Sequence, residues 1–364
     1  MNVLPWQTET WRQLIELRPR MPHALLFHGQ VGTGKTPFAR FFAKSLLCES
    51  PTDDGHACGL CPSCLWFAQG SHPDFRMVRP EVIDVAEGLE AAAEAEGGEG
   101  NDGGAEGGEG AADGAGEGKS GGKRKPSKEI RIEQVRALAG FLNVKTHRGG
   151  LRVALVYPAH VMNVYTANAL LKMLEEPPPD TVFMLVTDSL ERLLPTIRSR
   201  CRKFPMAVPD TARAIDWLRQ HNVGHAERLL AEQGGSPLLA LHAANDGAEL
   251  DQMRERFLRT LADPDRINPV VTAEALARIE LPVVVGWLQR WVHDCLEHRL
   301  AKRIRYYPAH AARIAALGEK LEVPRVFGFV KLLNGERRVA DHPLNPRLFL
   351  ERLLMAYVDA LAAE

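Results

Sequence analysis

Three things are scarce in this chain: net charge, long apolar runs, and carboxylates where a nucleotide-hydrolysing sheet needs them. The 45 basic and 46 acidic residues leave a formal charge of −1 over 364 residues. No stretch approaches the ~18 apolar residues of a membrane span, so no membrane partner is expected. Met1 to Trp6 lacks the basic and apolar regions of a signal peptide, which predicts a cytoplasmic protein. Cysteine is also sparse, at six, but four of the six crowd between 48 and 64. In a cytoplasmic chain that clustering points to metal and away from disulfides.

The near-zero charge hides an uneven spread. Residues 81–122 hold 12 acidic residues and one lysine, leaving 44 basic against 34 acidic residues elsewhere. A moderately basic body suits a nucleic-acid or phosphate partner, and equally a solvated surface. Gly, Ala and Glu dominate from Gly88 to Gly122, and Lys119, Lys123, Arg124, Lys125 and Lys128 then turn the segment basic. With so few large apolar residues, about 81–128 cannot bury enough surface to offset ordering entropy, so a disordered insertion is expected there.

Around that insertion the pattern is α/β. Val153–Val156 and Val182–Val186 are apolar runs of strand length, and Tyr165 to Glu176 between them reads as a helix stopped by Pro177-Pro178-Pro179. Strand, helix, strand makes a parallel sheet, whose chemistry collects at the carboxyl ends of its strands. Ala24–His28 is a further run, followed by Gly29-Gln30-Val31-Gly32-Thr33-Gly34-Lys35-Thr36, a full G-x-x-x-x-G-K-T phosphate loop before a helix at Phe38 to Leu47. Its glycines (Gly29, Gly32, Gly34) let backbone N–H groups face phosphate oxygens, Lys35 reaches the terminal phosphates, and Thr36 would ligate magnesium. After Val156, however, stand Tyr157 and Pro158, where hydrolysis needs acids to hold magnesium and position water.

Cys48, Cys58, Cys61 and Cys64 have the spacing C-x9-C-x2-C-x2-C. Two overlapping C-x2-C turns and the end of the preceding helix can bring four thiolates to one tetrahedral zinc, a closed structural site. His56 and His72 are the substitute ligands. From Glu249 onward the pattern is helical. Val284, Leu288, Trp291, Val292, Cys295 and Leu300 form one apolar stripe, and Leu348, Leu350, Leu353, Leu354, Tyr357, Val358 and Leu361 another. Cys201 and Cys295 read as buried thiols.

The phosphate loop, the four cysteines, Asn168–Pro178, Ser199-Arg200-Cys201 and Leu344-Asn345-Pro346-Arg347-Leu348 together resemble the δ′ family of bacterial DNA polymerase III clamp-loader subunits. The resemblance implies a RecA-like AAA+ domain over 1–205, with the zinc module at 48–64, a helical lid over 206–245 and a helical collar over 249–364. It implies a five-membered ring with γ/τ and δ subunits that loads the β sliding clamp on primed DNA. In that ring the subunit is a non-hydrolysing scaffold whose Arg200, between Ser199 and Cys201, reaches as an arginine finger into a neighbour's ATP site. Thr187 takes the first sensor position. Where the family's motors have Asp-Glu this chain has Tyr157-Pro158, and Leu238 replaces the sensor arginine of the lid. ATP or ADP held without hydrolysis is the resulting expectation. The rival readings are an active P-loop ATPase, supported by Gly29–Thr36 alone, and a zinc-stabilised DNA-binding module acting by itself.

Overall fold

The computed structural model describes residues 3–87, 126–144, 146, 150–245, 247–340, 342 and 344–361. They divide into two compact units, residues 1–30 with 34–207, and residues 31–33 with 208–364.

The first unit is built on a five-stranded parallel sheet: β1 (Ala24–His28), β2 (Phe75–Val78), β3 (Arg152–Val156), β4 (Thr181–Thr187) and β5 (Arg202–Pro205). The order across the sheet is β2-β3-β4-β1-β5. The three central strands are buried along nearly their whole length, which is why they read as unbroken apolar runs. Around them lie α1 (Thr8–Leu17), α2 (Lys35–Leu47), α3 (Pro62–Ala68), α4 (Glu81–Ala86), α5 (Ile132–Asn143), α6 (Val164–Glu175) and α7 (Pro195–Arg200). Each face of the sheet has its own core. Leu26, Ala154, Phe183 and Leu185 pack with α5 and α6 on one side, while Leu25, Phe27, Leu155 and Met184 pack with Phe38 and Phe42 of α2 on the other. The α/β fold class expected from the sequence is the one found.

The expected insertion at about 81–128 is corrected at both ends. Glu81–Ala86 is helix, and Arg79, 5% exposed, reaches Asp84 at 2.6 Å and Glu87 at 2.7 Å. On the far side Arg131 lies 2.6 Å from Glu81, and the Ser127 N–H donates to the same carboxylate at 2.9 Å. Acidic residues that looked like part of a solvated tail are instead partners of arginines outside it. The stretch from Gly88 to Lys125 lies outside the described residues.

The second unit is helical: α8 (Thr211–Gln220), α9 (Ala226–Glu232), α10 (Pro237–Asn245), α11 (Ala248–Leu261), α12 (Pro269–Leu276), α13 (Leu281–Ala301), α14 (Ala311–Lys320), α15 (Val323–Val339) and α16 (Pro346–Leu361). Expected lid and collar fall within this one unit. A buried ion pair joins them, Arg254 of α11 to Glu232 of α9 at 2.8 Å. Around α13 a single core gathers Trp287, Trp291, Tyr307, Phe329 and Tyr357. A polar chain runs through it: Trp291 Nε1 donates to Tyr357 Oη at 3.0 Å, and that hydroxyl donates to the Leu261 carbonyl at 2.6 Å. Two members of the expected apolar stripes are outside this core. Leu300 and Leu348 are 62% and 61% exposed, because each stripe drifts off the buried face at one end of its helix.

Candidate functional site

The phosphate loop begins where β1 ends. Gly29 has φ +148°, and a Cβ there would come within 2.3 Å of the Met206 carbonyl oxygen, so only glycine fits. Gly34 is left-handed at φ 86° and caps α2, turning the chain so that Lys35 and Thr36 open the helix. Gln7 fastens the turn by donating to the Gly34 carbonyl at 3.1 Å. Lys35 is buried, 3% exposed, and its ammonium donates to the Gln30 carbonyl at 2.6 Å. Residues Val31–Thr33 group with the helical unit, where the Ser236 hydroxyl donates to the Val31 carbonyl at 2.6 Å and the Leu238 N–H to the Gly32 carbonyl at 3.2 Å. Leu238, expected in place of a lid arginine, meets this loop through its backbone N–H.

The second partner of Lys35 is a residue the sequence reading missed. Asp188 Oδ1 lies 2.6 Å from Lys35 Nζ, its side chain 17% exposed. Asp188 follows β4, and β4 pairs with β1 in the register His28 to Thr187. Whatever follows Thr187 therefore stands beside whatever follows His28. That adjacency was recoverable only from the strand order, since Asp188 lies 153 residues after Lys35 in the sequence.

Tyr157 and Pro158 follow β3 as expected, joined by a cis peptide bond. The Thr36 side chain acts on the Tyr157 hydroxyl, and burial pushes its phenol above the ordinary value. Thr187 is fully buried. Its hydroxyl donates to the Ser189 carbonyl at 3.0 Å and lies 3.0 Å from His160 Nδ1. Burial lowers the His160 pKa, which favours the neutral ring against the attraction of Asp188. Lys35, Thr36, Tyr157, Asp188, Thr187 and His160 thus form one polar group at the carboxyl ends of β1, β3 and β4.

The four cysteines do converge. Cys48 caps the end of α2, Cys61 caps the start of α3, and all four sulfurs lie within 4.8 Å of one another. Cys48 Sγ is 3.9 Å from Cys61 Sγ, and Cys58 Sγ 4.0 Å from Cys64 Sγ. A tetrahedron with metal–sulfur bonds of about 2.3 Å has edges of about 3.8 Å, so the set fits one ion and could hold zinc. Backbone N–H groups already point at the sulfurs, Cys58 to Cys48 at 3.2 Å and Cys61 to Cys58 at 3.3 Å. The N–H groups of Leu60 and Cys61 lower the Cys58 thiol to about 6, while burial pushes Cys64 up to about 12. The histidine alternatives are elsewhere. His56 stacks on Trp11 at 4.7 Å, and His72 Nε2 lies 2.5 Å from the Ser63 hydroxyl.

Ser199, Arg200 and Cys201 end α7 and lead into β5. Arg200 is exposed, with Nη2 2.5 Å from Glu175 of α6 and Nη1 donating to the Thr196 carbonyl at 3.1 Å. The Ser199 hydroxyl is turned back to the same carbonyl at 2.9 Å. Cys201 is 7% exposed within the sheet core, its thiol pushed up to about 12 by burial, so its part is packing.

Residues 6–210 match the family described as "DNA polymerase III, delta subunit", and residues 248–358 match its C-terminal counterpart. The chain is 33% identical to the DNA polymerase III subunit delta' of Pseudomonas aeruginosa, across 98% of both chains. It is 34% identical to DNA polymerase III subunit gamma/tau of Mycobacterium tuberculosis, over 54% of this chain and 26% of that protein. Among solved structures it is similar to a DNA polymerase III gamma subunit-related protein from Thermotoga maritima, at 18% identity with a TM-score of 0.43, covering 97% of this chain and 99% of that one.

Proposed function

The chain belongs to the DNA polymerase III delta' subunit family, and from that premise we propose that it is the non-hydrolysing member of a clamp-loader ring, lending Arg200 to the ATP site of an adjoining γ/τ subunit. The observation that carries this reading is the contrast between two positions. Tyr157-Pro158 stands after β3 in place of the acids that hold magnesium and orient water, whereas Arg200 stands exposed at the end of α7 with its guanidinium in solvent reach. A guanidinium placed on a neighbour's transferring phosphoryl group neutralises charge spreading over its oxygens, an effect of about 10³–10⁵ in rate. Its own subunit needs no acid for that. Partners are the γ/τ and δ subunits, the β sliding clamp and primed DNA. The sulfur cluster holds a structural zinc with no open coordination position, which fastens Cys58–Cys64 to the end of α2. ATP or ADP binds at Lys35 and Thr36 and stays uncleaved.

The test is ATP hydrolysis by a reconstituted loader. Arg200→Ala is expected to cut primed-DNA-stimulated hydrolysis and clamp loading, while the isolated chain turns over no ATP. Full activity with Arg200→Ala refutes the finger.

One observation favours a second reading, an active ATPase: a carboxylate, Asp188, does stand beside Lys35. Hydrolysis by the purified chain at motor-like rates, lost on both Lys35→Ala and Asp188→Ala, would establish it. Against it, Asp188 is one acid where two functions need filling, and it is engaged by the lysine itself.

A further inference from the structure

A phosphate loop offers a ligand two side chains, the lysine and the hydroxyl after it. In this chain both stand against residues from the ends of neighbouring strands. Lys35 meets Asp188 at 2.6 Å, just beyond β4, and the Thr36 side chain acts on Tyr157, just beyond β3. The lysine is 3% exposed and the aspartate 17%, so the pair is shielded from water and its charges act on each other strongly.

We propose that Asp188 sets the affinity of this phosphate loop for nucleoside triphosphate, its carboxylate competing with the terminal phosphates for the Lys35 ammonium. The proposal rests on reading Lys35 as a phosphate ligand. Binding then exchanges one anion for another at the same nitrogen. The displaced carboxylate stays anchored at the end of β4, in a mostly covered position, beside the incoming negative charge. Its repulsion offsets much of the attraction Lys35 provides. A loop with every residue of its motif in place therefore binds nucleotide weakly, for a reason written outside the motif. Charge is the active ingredient, because asparagine has the same shape and still accepts a hydrogen bond from lysine without being an anion.

The experiment is isothermal titration of the full chain with ATP, with and without magnesium. Asp188→Asn is expected to bind ATP at least tenfold more tightly than the parent chain under both conditions, and adding Lys35→Ala is expected to remove the gain. Equal affinity in parent and variant overturns the proposal. So does weaker binding by the variant, which would make Asp188 a helper of nucleotide or metal, and so does undetectable binding by both. Circular-dichroism melting checks the fold, and Asp188→Ser, which also removes the charge, is held to the same expectation should Asp188→Asn unfold. The finger reading is tested separately by Arg200→Ala in the assembled loader, so either idea can fail alone.

Discussion

Arg200 of α7 and Glu175 of α6 face each other at 2.5 Å, with side chains 36% and 43% exposed. An ion pair so open to solvent contributes about 0–1 kcal/mol, since screening and side-chain entropy consume most of the Coulomb gain. The guanidinium can therefore leave Glu175 at small cost. Glu175→Gln is expected to change stability by less than about 1 kcal/mol in urea unfolding, and to leave loader ATPase within a few-fold of the parent. A large stability loss would mean that the arginine's purpose is to hold α6 to α7.

The sulfur cluster gives a prediction with two readouts. Metal analysis of the purified chain is expected to return about one zinc, and Cys61→Ser to lose it. Because Cys61 also caps α3, hydrogen exchange in Pro62–Ala68 should accelerate in that variant or after chelation. A chain with four freely titrating thiols and unchanged exchange there would contradict the metal.

In the helical unit, Tyr357 stands between two buried groups, accepting from Trp291 and donating to Leu261. Tyr357→Phe removes one oxygen and leaves an indole N–H and a carbonyl without this partner. A loss of about 1–3 kcal/mol is expected in denaturant unfolding. Trp291→Phe made in the same background should cost less than it does alone, because the hydrogen bond is already gone.

The pH dependence follows from His160. Burial depresses its pKa below the usual 6.5, so the folded chain binds fewer protons than the unfolded chain in the window below 6.5. This contribution to stability is complete above 6.5 and is lost as pH falls toward the depressed value. His160→Gln is expected to flatten the fall of melting temperature between about pH 6.5 and 5. An unchanged slope would show that His28, lowered by its own burial and by Lys203, carries it instead.

The central strands were legible because burial on both faces demands apolar side chains at every position. The edge strands were not. β5 reads Arg202-Lys203-Phe204-Pro205, with only Phe204 buried, and β2 keeps only Val78 buried. An edge tolerates charge and proline, so it leaves little apolar signature. The phosphate loop and the cysteines announced themselves because a tight turn and a tetrahedral ion each demand fixed spacing. Asp188 carried no such mark. A lone acid after a strand is ordinary until the order of strands shows which loop it meets.

The first residue of α2 is Lys35, and the residue that caps its last turn is Cys48. These 13 residues make a rod about 20 Å long, rooted at one end in sulfur and at the other in the turn that faces phosphate. The sulfur cluster and the chain's anion-handling turn are thereby joined through one stiff element.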